Sequence, residues 1–380
     1  MLQYTTAQIN NTNIVWIETY NQFIQLAEPA HTVFKLYAID YTHTQIEQEC
    51  IRLYGLPDIE SKRFVKEIIE GIELQLQHIL NQKQSTPEYK YPTEDFSFEA
   101  NAIRIYQIGD KQIKVSYQTN LLEHYLHPLF CHLETPNEPS NYEYIFELFY
   151  YNDKVILRHN GIYLGQWNED ASAWIKGRFF IQLLNDIYCK TDSDWMTTLH
   201  ASAVTNGEKA IAFSAASGSG KSTLAALMHA NGFQLIADDF VAVDKGEMFA
   251  HPFPVAMTVK DGSLNVLSGF FPSLNNGESV PLSHNRSGRY LSHEIALETC
   301  QSALPIKEMV FVEYNPQVEF EISNMHATEA LQLIVDESWI QHEAESIAIF
   351  MQWLQQTRFY RLRYSNNNKA IEAVSTLFAQ

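Results

Sequence analysis

A segment of small and cationic residues, 211–223, has the composition and order of a loop that binds a polyphosphate. It reads Ile-Ala-Phe-Ser-Ala-Ala-Ser-Gly-Ser-Gly-Lys-Ser-Thr: an apolar strand, a Gly/Ser loop and the start of a helix. Small loop residues let backbone N–H groups face phosphate oxygens, and a helix N-terminus adds positive potential. The contacts to a nucleoside triphosphate are expected from Ser217, Gly218, Ser219, Gly220, Lys221, Ser222 and Thr223.

Two of these residues have defined expected roles. Lys221 would reach the β- and γ-phosphates, and the Ser222 hydroxyl would hold Mg²⁺. The full Walker A pattern has Gly at its first position, where this chain has Ala215. A Ser/Gly-rich stretch alone is often a linker, but here an apolar run precedes it, and leucines at helical spacing and a stop at Gly232 follow it. The flanks therefore favour a P-loop.

A second polar pair follows the next apolar run, Gln234-Leu-Ile-Ala, in the form of Asp238 and Asp239. We expect one carboxylate of this pair to bind Mg²⁺, directly or through water, and the other to accept the proton of a hydroxyl acceptor. The alternative is a turn at a strand end with solvated charges. His200 stands at the head of a strand before the loop; it would orient Asp239 or be a core histidine.

Three cations further along the chain are candidates to contact the phosphoryl group during its transfer. Lys260 ends a Pro-punctuated segment that starts at His251, and it would meet the γ-phosphate or be a surface lysine. Arg286 and Arg289 lie in the polar stretch Asn275–Tyr290, which we expect to be a mobile loop that closes over substrate.

The composition excludes several classes of protein. The formal net charge of −19 argues against binding to nucleic acid or to an anionic membrane surface. The four cysteines are scattered without zinc or redox spacing, which favours free thiols in a reducing cytosol. Polar residues follow Met1, and no apolar run could span a bilayer. A cytoplasmic protein is therefore expected.

The 380 residues divide into three blocks. The first, about 1–85, has strand patterns at Ile14–Ile17 and Phe23–Leu26 and helix patterns at Glu28–Tyr37 and Phe64–Leu80, with a capping box at Thr44–Glu47. Polar residues 81–94 are typical of a linker. The second block, 95–190, has a helix pattern at 173–187 and strand patterns at Ala102–Tyr106, Ile113–Tyr117, Tyr144–Tyr150 and Lys154–Arg158. The third block, 195–380, carries the loop.

The segments around His200, Ser217–Ser222 and Gly232–Asp239 together resemble, in order and spacing, the catalytic domain of HPr kinase/phosphorylase. The resemblance implies a phosphoenolpyruvate-carboxykinase-like α/β fold over 95–380. It also implies ATP and Mg²⁺ as cofactors, Lys221 on the phosphates, Ser222 and Asp238 on the metal, and Asp239 as the base toward a serine hydroxyl, with His200 nearby. The family's later signature, which carries a Glu and an Arg, is replaced here by Pro252–Lys260. This replacement looks like the HPr-kinase-related branch, so HPr itself and the reverse phosphorolysis are not implied.

The first block resembles a PqqD-like peptide-recognition domain, a small winged-helix α+β module. The resemblance rests on Phe23–Leu26, Ala30–Leu36, the helix after Thr44 and the helix Phe64–Leu80. It implies a partner peptide, such as a leader-peptide-bearing precursor, that is added as a strand to the sheet.

Three functions stay open at this point. The first is an ATP- and Mg²⁺-dependent kinase of a serine in a peptide or protein. The second is a kinase of a small-molecule hydroxyl, such as a sugar or an amino acid, and the third is a nucleotide-binding adaptor without transfer activity. The acceptor, the nucleoside of the donor and a homo-oligomeric state are left open by the sequence.

Overall fold

A computed structural model describes residues 1–82, 91–92, 96–136, 142–282, 286–292 and 303–380, with the backbone alone for 78–82. Most of the expected linker 81–94 lies outside the described residues, as does Cys300. Among the described residues, no helix combines the length and the apolar character needed to cross a bilayer.

The first block forms an antiparallel sheet and three helices. They are β1 (Tyr4–Ile9), β2 (Thr12–Ile17), β3 (Gln22–Leu26), α1 (Ala30–Ala38), α2 (His43–Tyr54) and α3 (Asp58–Gln82). The sheet order is β1-β2-β3, so within the described residues one edge of β3 has no strand partner. The sequence patterns predict β2, β3, α1 and α3 and miss β1.

The capping box of α2 lies two residues earlier than the sequence predicts. Thr42 is the N-cap, its hydroxyl accepts from Gln45 N, and the Gln45 side chain accepts from Thr42 N at 2.9 Å. The predicted box at Thr44–Glu47 is therefore wrong. Gln fills the third helical position of such a box as well as Glu does, so Thr42-x-x-Gln45 starts the helix about half a turn earlier.

The second block is a five-stranded sheet, β4-β5-β6-β7-β8, with two helices. Its elements are β4 (Ala102–Ile108), β5 (Lys111–Tyr117), α4 (Asn120–Phe130), β6 (Tyr144–Tyr151), β7 (Lys154–His159), β8 (Ile162–Trp167) and α5 (Ser172–Tyr188). The predicted strands and the predicted helix of this block are confirmed, and α4 is the helix that the sequence patterns miss.

The third block builds a large mixed sheet. Its elements run β9 (Trp195–Leu199), β10 (Ala201–Thr205), β11 (Ala210–Ser214), α6 (Lys221–Ala230), β12 (Gln234–Ala237), β13 (Val241–Asp244), β14 (Phe249–His251), β15 (Met257–Lys260), α7 (Leu264–Leu267), α8 (Ser273–Asn276), β16 (Val280–Leu282), β17 (Arg286–Leu291), β18 (Leu304–Tyr314), β19 (Phe320–Met325), α9 (Ala327–Glu337), β20 (Trp339–Ile340), α10 (Ala344–Gln356), β21 (Arg358–Tyr364) and α11 (Asn367–Phe378). The sheet order is β12-β10-β11-β18-β14-β13-β9, and β21 pairs with both β18 and β19. Helices α6 and α11 contribute buried side chains to one core with β11, β18 and β21.

The segment Asn275–Tyr290 is not the loop that the sequence predicts. In its described part, β16 pairs with β17, and β17 pairs with β15 to form a small antiparallel sheet. The polar composition hides these strands, because a strand with one exposed face and few apolar residues lacks the alternation that identifies a strand in sequence. The arginines of this segment consequently lie on a sheet.

The chain divides into two compact units, Met1–Pro87 with Met325–Phe359, and Glu88–Asn324 with Tyr360–Gln380. These units differ from the predicted domains, 1–85 and 95–380, because residues 325–359 belong with the N-terminal block. The cause is an excursion of the chain after β19: it forms α9, β20 and α10 and returns as β21 beside β19. The overall class is mixed α/β.

Candidate active site

Strand register brings three separate sequence motifs to one edge of the large sheet. Strands β10 and β11 are antiparallel with Ala201 opposite Ser214, so the start of β10 lies beside the end of β11. Strands β10 and β12 are also antiparallel, with Ala203 opposite Ala237. His200, the Gly/Ser loop and the pair Asp238–Asp239 are therefore neighbours in space, as the chemistry predicted from the sequence requires.

The Gly/Ser loop has a backbone that only glycine adopts easily. Gly218 has φ +96° and Gly220 has φ +99°, both in the left-handed region. A Cβ on Gly220 would also lie 3.3 Å from the Cβ of Tyr314. Helix α6 starts directly after Gly220, so its N-terminus faces the loop. Ala215, at the first position of the motif, is buried and does not have a positive φ, which is why alanine is tolerated there.

Lys221 is the first residue of α6, and its side chain is only 8% exposed. Its Nζ donates a hydrogen bond to Asp239 Oδ1 and lies 3.3 Å from His200 Nε2. The three residues that the sequence places in catalysis are thus joined through a single ammonium group.

Asp238 is buried and surrounded by donors. Its Oδ1 accepts hydrogen bonds from the hydroxyls of Ser202 and Ser222, the latter at 2.9 Å, and its Oδ2 accepts from Thr258 N at 3.3 Å. Burial and the neighbouring Asp239 carboxylate raise the pKa of Asp238 to about 6. A carboxylate in this position gains from a nearby divalent cation, which would compensate its burial.

The Ser222 hydroxyl and the Asp238 carboxylate fit a magnesium ion. Both are hard oxygen ligands that already lie within hydrogen-bond distance of each other. Mg²⁺ commonly takes one or two protein oxygens and completes its shell with water and phosphate oxygens. No cluster of three or more His, Cys, Asp or Glu side chains suited to a metal occurs in the described ranges.

Asp239 lines the cavity and has a left-handed backbone. It has φ +62°, and its side chain is 47% exposed. Burial alone would raise the pKa of Asp239, but the charges of Lys221 and His200 bring this pKa below its ordinary value. Aspartate visits the left-handed region more readily than most residues, and Asp40 and Asp153 also have a positive φ, so this backbone geometry alone does not mark a site.

Two more cations converge on the loop at Ser217. Lys260 Nζ donates to Ser217 Oγ at 3.1 Å, and Arg286 Nη2 donates to the same oxygen at 3.2 Å. Burial and the nearby Arg286 lower the pKa of Lys260. Arg289 points elsewhere and donates to Gly277 O at 2.9 Å. Of the two arginines singled out in the sequence, the structure therefore brings only Arg286 to the loop.

A cavity of about 440 Å³ joins these groups. Its lining includes the expected residues except Ser219 and Asp238. It also includes three residues that the sequence patterns miss, namely Tyr314 at the end of β18, Tyr364 at the end of β21, and Asn367 at the start of α11. Lys176 in α5 is also missed; burial lowers its pKa, and the charge of Asp239 partly counteracts this. These four residues are far from the loop in sequence, so no local sequence pattern connects them to it.

The N-terminal unit has its own groove, of about 1280 Å³. Its walls come from β3, α3 and α9, with Phe23, Ile68, Gly71, Leu74, Leu331 and Leu333 among the lining residues. The open edge of β3 therefore faces a mainly apolar groove. The carboxylates of Glu67 and Glu329 also line it.

No protein-family model matches the chain, and no curated protein matches it significantly. The resemblances to HPr kinase-like and PqqD-like proteins therefore stay predictions.

Proposed function

We propose that this protein is an ATP- and Mg²⁺-dependent phosphotransferase that transfers the γ-phosphoryl group to a serine hydroxyl of a peptide or protein. The observation that carries the proposal is the convergence of Lys221, Lys260 and Arg286 on one glycine loop. Three cations around a single loop repel one another, and a polyphosphate would neutralise them together.

The donor side of the proposal assigns each group one task. The backbone of 217–220 and the first turn of α6 would hold the β-phosphate, as helix N-termini and glycine loops do for phosphate groups. Lys221 would leave Asp239 for the β- and γ-phosphates. Ser222 and Asp238 would hold Mg²⁺, which supplies charge neutralisation and fixes the phosphate chain.

The acceptor side depends on Asp239. Once Lys221 contacts phosphate, the Asp239 carboxylate is available to accept the proton of an incoming hydroxyl. His200 would then position this carboxylate, because the charge of His200 also acts directly on Asp239. The oxygen of the acceptor attacks the γ-phosphorus, the bond to the β-phosphate oxygen breaks, and ADP leaves.

A peptide acceptor is favoured by the groove of the N-terminal unit. The open edge of β3 offers backbone hydrogen-bonding groups, and the apolar walls from α3 and α9 offer pockets for alternate side chains. An extended peptide binds such an edge as an added strand. A PqqD-like winged-helix identity of this unit and a precursor with a leader peptide as partner belong to the same proposal.

Intact-mass spectrometry tests transfer directly. The full chain is incubated with ATP, Mg²⁺ and a pool of serine-containing peptides encoded beside its gene. We expect one phosphoryl group on a peptide, and no gain with Asp239→Asn. Asp153→Asn is the matched control, because Asp153 also has a positive φ, +59°, but lies in the exposed turn between β6 and β7.

Other outcomes would redirect the proposal. ATP consumption that depends on Asp239 but leaves every peptide unmodified would favour a small-molecule hydroxyl. ATP binding without turnover under any condition would favour an adaptor. Deleting the first 87 residues is a poor test of the groove, since α9 and α10 belong to the same unit and would lose their partners.

A further inference from the structure

The lining of the cavity around the glycine loop includes two chemical groups of side chains. Lys221, Lys260 and Arg286 are cations, which suit phosphate oxygens. Tyr314, Tyr364 and Asn367 are uncharged, and the two tyrosines lie against Gly220, where an added Cβ would be 3.3 Å from Tyr314 Cβ and 3.4 Å from Tyr364 Oη. The face of an aromatic ring carries no positive charge for a polyphosphate, so the tyrosine rings indicate a part of the ligand other than its phosphates.

Tyr314 is held in a fixed position against the loop. Its backbone N donates to Ser219 O at 2.9 Å, which ties the end of β18 to the phosphate loop. Its ring meets the ring of Tyr364 edge-on, with centroids 5.8 Å apart and an interplanar angle of 86°. Even so, 49% of Tyr314 is exposed. A large aromatic side chain is therefore presented to the cavity by rigid neighbours.

Asn367 supplies a polar group to the lining of the same cavity. The preceding residue, Asn366, is the N-cap of α11, and its side chain accepts from Lys369 N. Asn367 is not needed for that cap and lines the cavity instead. Within the described part of the chain, its amide has no protein partner. An amide of this kind both donates and accepts, as recognition of a base edge requires.

We infer that Tyr314 and Asn367 form the base-binding end of the nucleotide site: the Tyr314 ring stacks on the purine, and the Asn367 amide contacts its edge. This inference rests on the proposed nucleotide binding and extends it from the phosphates to the base. Every nucleobase has a π-face, and stacking on an aromatic side chain is worth about 1–3 kcal/mol per base. The cavity then offers cations to the phosphates of a nucleotide and an aromatic ring to its base.

Calorimetric titration of the full chain with Mg-ATP and with magnesium inorganic triphosphate separates the contribution of the base to affinity from that of the phosphates. For Tyr314→Leu we expect the Kd for ATP to rise by roughly tenfold or more, as loss of stacking implies. The Kd for inorganic triphosphate should stay within about twofold, because the leucine keeps the Cβ that packs at Gly220. Tyr314→Phe should bind ATP like the wild type, since it keeps the ring, and Tyr41→Leu controls for loss of an exposed tyrosine elsewhere.

Asn367→Ala tests the contact with the base edge. We expect the ratio of the Kd values for GTP and ATP to move toward one, with no change for inorganic triphosphate. An unchanged ratio would remove Asn367 from the inference.

The remaining outcomes distinguish this inference from the proposed function. Equal wild-type affinity for ATP and inorganic triphosphate would overturn the base site and leave the phosphate site standing. An equal loss of both ligands in Tyr314→Leu would show that Tyr314 only positions the loop, and would also overturn the inference. Failure of the wild type to bind either ligand would overturn the proposed function itself.

Discussion

Lys221 and Asp239 form an ion pair at the centre of the candidate active site, with Nζ donating to Oδ1. Lys221, the proposed phosphate-binding cation, and Asp239, the proposed base, are thus bound to each other in this structure. Lys221 lowers the pKa of Asp239, so its departure toward phosphate would raise that pKa and make the carboxylate a better base. The pair would therefore couple nucleotide binding to activation of the base.

Lys221→Met should weaken the binding of Mg-ATP by roughly tenfold or more. The variant loses the ammonium that faces the phosphates, and it leaves Asp238 and Asp239 as neighbouring carboxylates without their buried counter-charge. Lys307→Met is the matched control, because Lys307 is an exposed lysine of β18 that does not line the cavity. Titration calorimetry measures both, and equal affinities would contradict the assigned role of Lys221.

Arg286→Ala and Arg289→Ala should differ in their effects on turnover. Arg286 reaches Ser217 in the loop, whereas Arg289 donates to Gly277 O away from it. We expect Arg286→Ala to lower kcat by roughly tenfold or more and Arg289→Ala to stay near the wild type, since a cation on the transferring phosphoryl stabilises its charge. Steady-state ATP turnover measures kcat of both variants. An equal loss of kcat in the two would indicate that these arginines only stabilise the small sheet.

Gly220→Ala should damage nucleotide binding more than its backbone cost explains. A left-handed alanine costs about 1–2 kcal/mol, and the new Cβ would also meet Tyr314 at 3.3 Å. Gly207→Ala has a similar φ, +96°, but its new Cβ would meet no described atom within 4 Å. We therefore expect similar shifts of the melting temperature from the backbone alone, with an additional loss of ATP affinity only in Gly220→Ala.

Substitutions of Gly71 should distinguish the function of the groove from that of the cavity at the glycine loop. Gly71 lies on α3 and lines the groove, and a Cβ added to it would meet no described atom within 4 Å. Gly71→Ala should raise stability by about 0.5–1 kcal/mol, because alanine favours the helix. Gly71→Trp should fill the groove and abolish peptide phosphorylation while ATP binding stays intact. Peptide turnover that survives the tryptophan would place the acceptor elsewhere.

The buried pair Asp244–His251 should make stability depend on acid. His251 Nε2 lies 2.6 Å from Asp244 Oδ2. Burial alone would raise the pKa of Asp244, but the hydrogen bond from His251 brings this pKa below its ordinary value. Stabilisation by a depressed acid is present above its unfolded pKa of about 3.9 and is lost as the pH falls through the folded value.

The measurement for this pair is unfolding of the wild type and of Asp244→Asn as a function of pH. The variant should be less stable by roughly 1.5–3 kcal/mol at neutral pH, as expected for a hydrogen bond to a charged group. The difference should shrink below a pH of about 4, where the unfolded carboxyl becomes protonated. A difference that stays constant from neutral to acidic pH would assign it to packing rather than to charge.

Local sequence patterns predict the elements that flank the glycine loop, whereas the residues that long-range strand pairing brings to this loop are missed. Strand β11, helix α6 and the end of β12 are predicted correctly, because apolar periodicity and the stop at Gly232 lie within a few residues of each other. Tyr314, Tyr364 and Asn367 are missed, since only the pairing of β18 with β11 and β21 brings them to the loop. No spacing rule connects residues that lie so far apart in the chain.

The segment between β19 and β21, which contains α9, β20 and α10, affects how the groove could be transferred to another protein. Ser365 N donates to Glu319 O, so the end of β21 meets the start of β19 and the two strands run antiparallel. The unit that carries the groove is consequently assembled from two stretches of chain, one at the N-terminus and one whose ends meet as a hairpin would. Transferring the groove to another protein would require the insertion of both stretches of chain. The second stretch ends at Phe359, only a few residues before Tyr364 and Asn367.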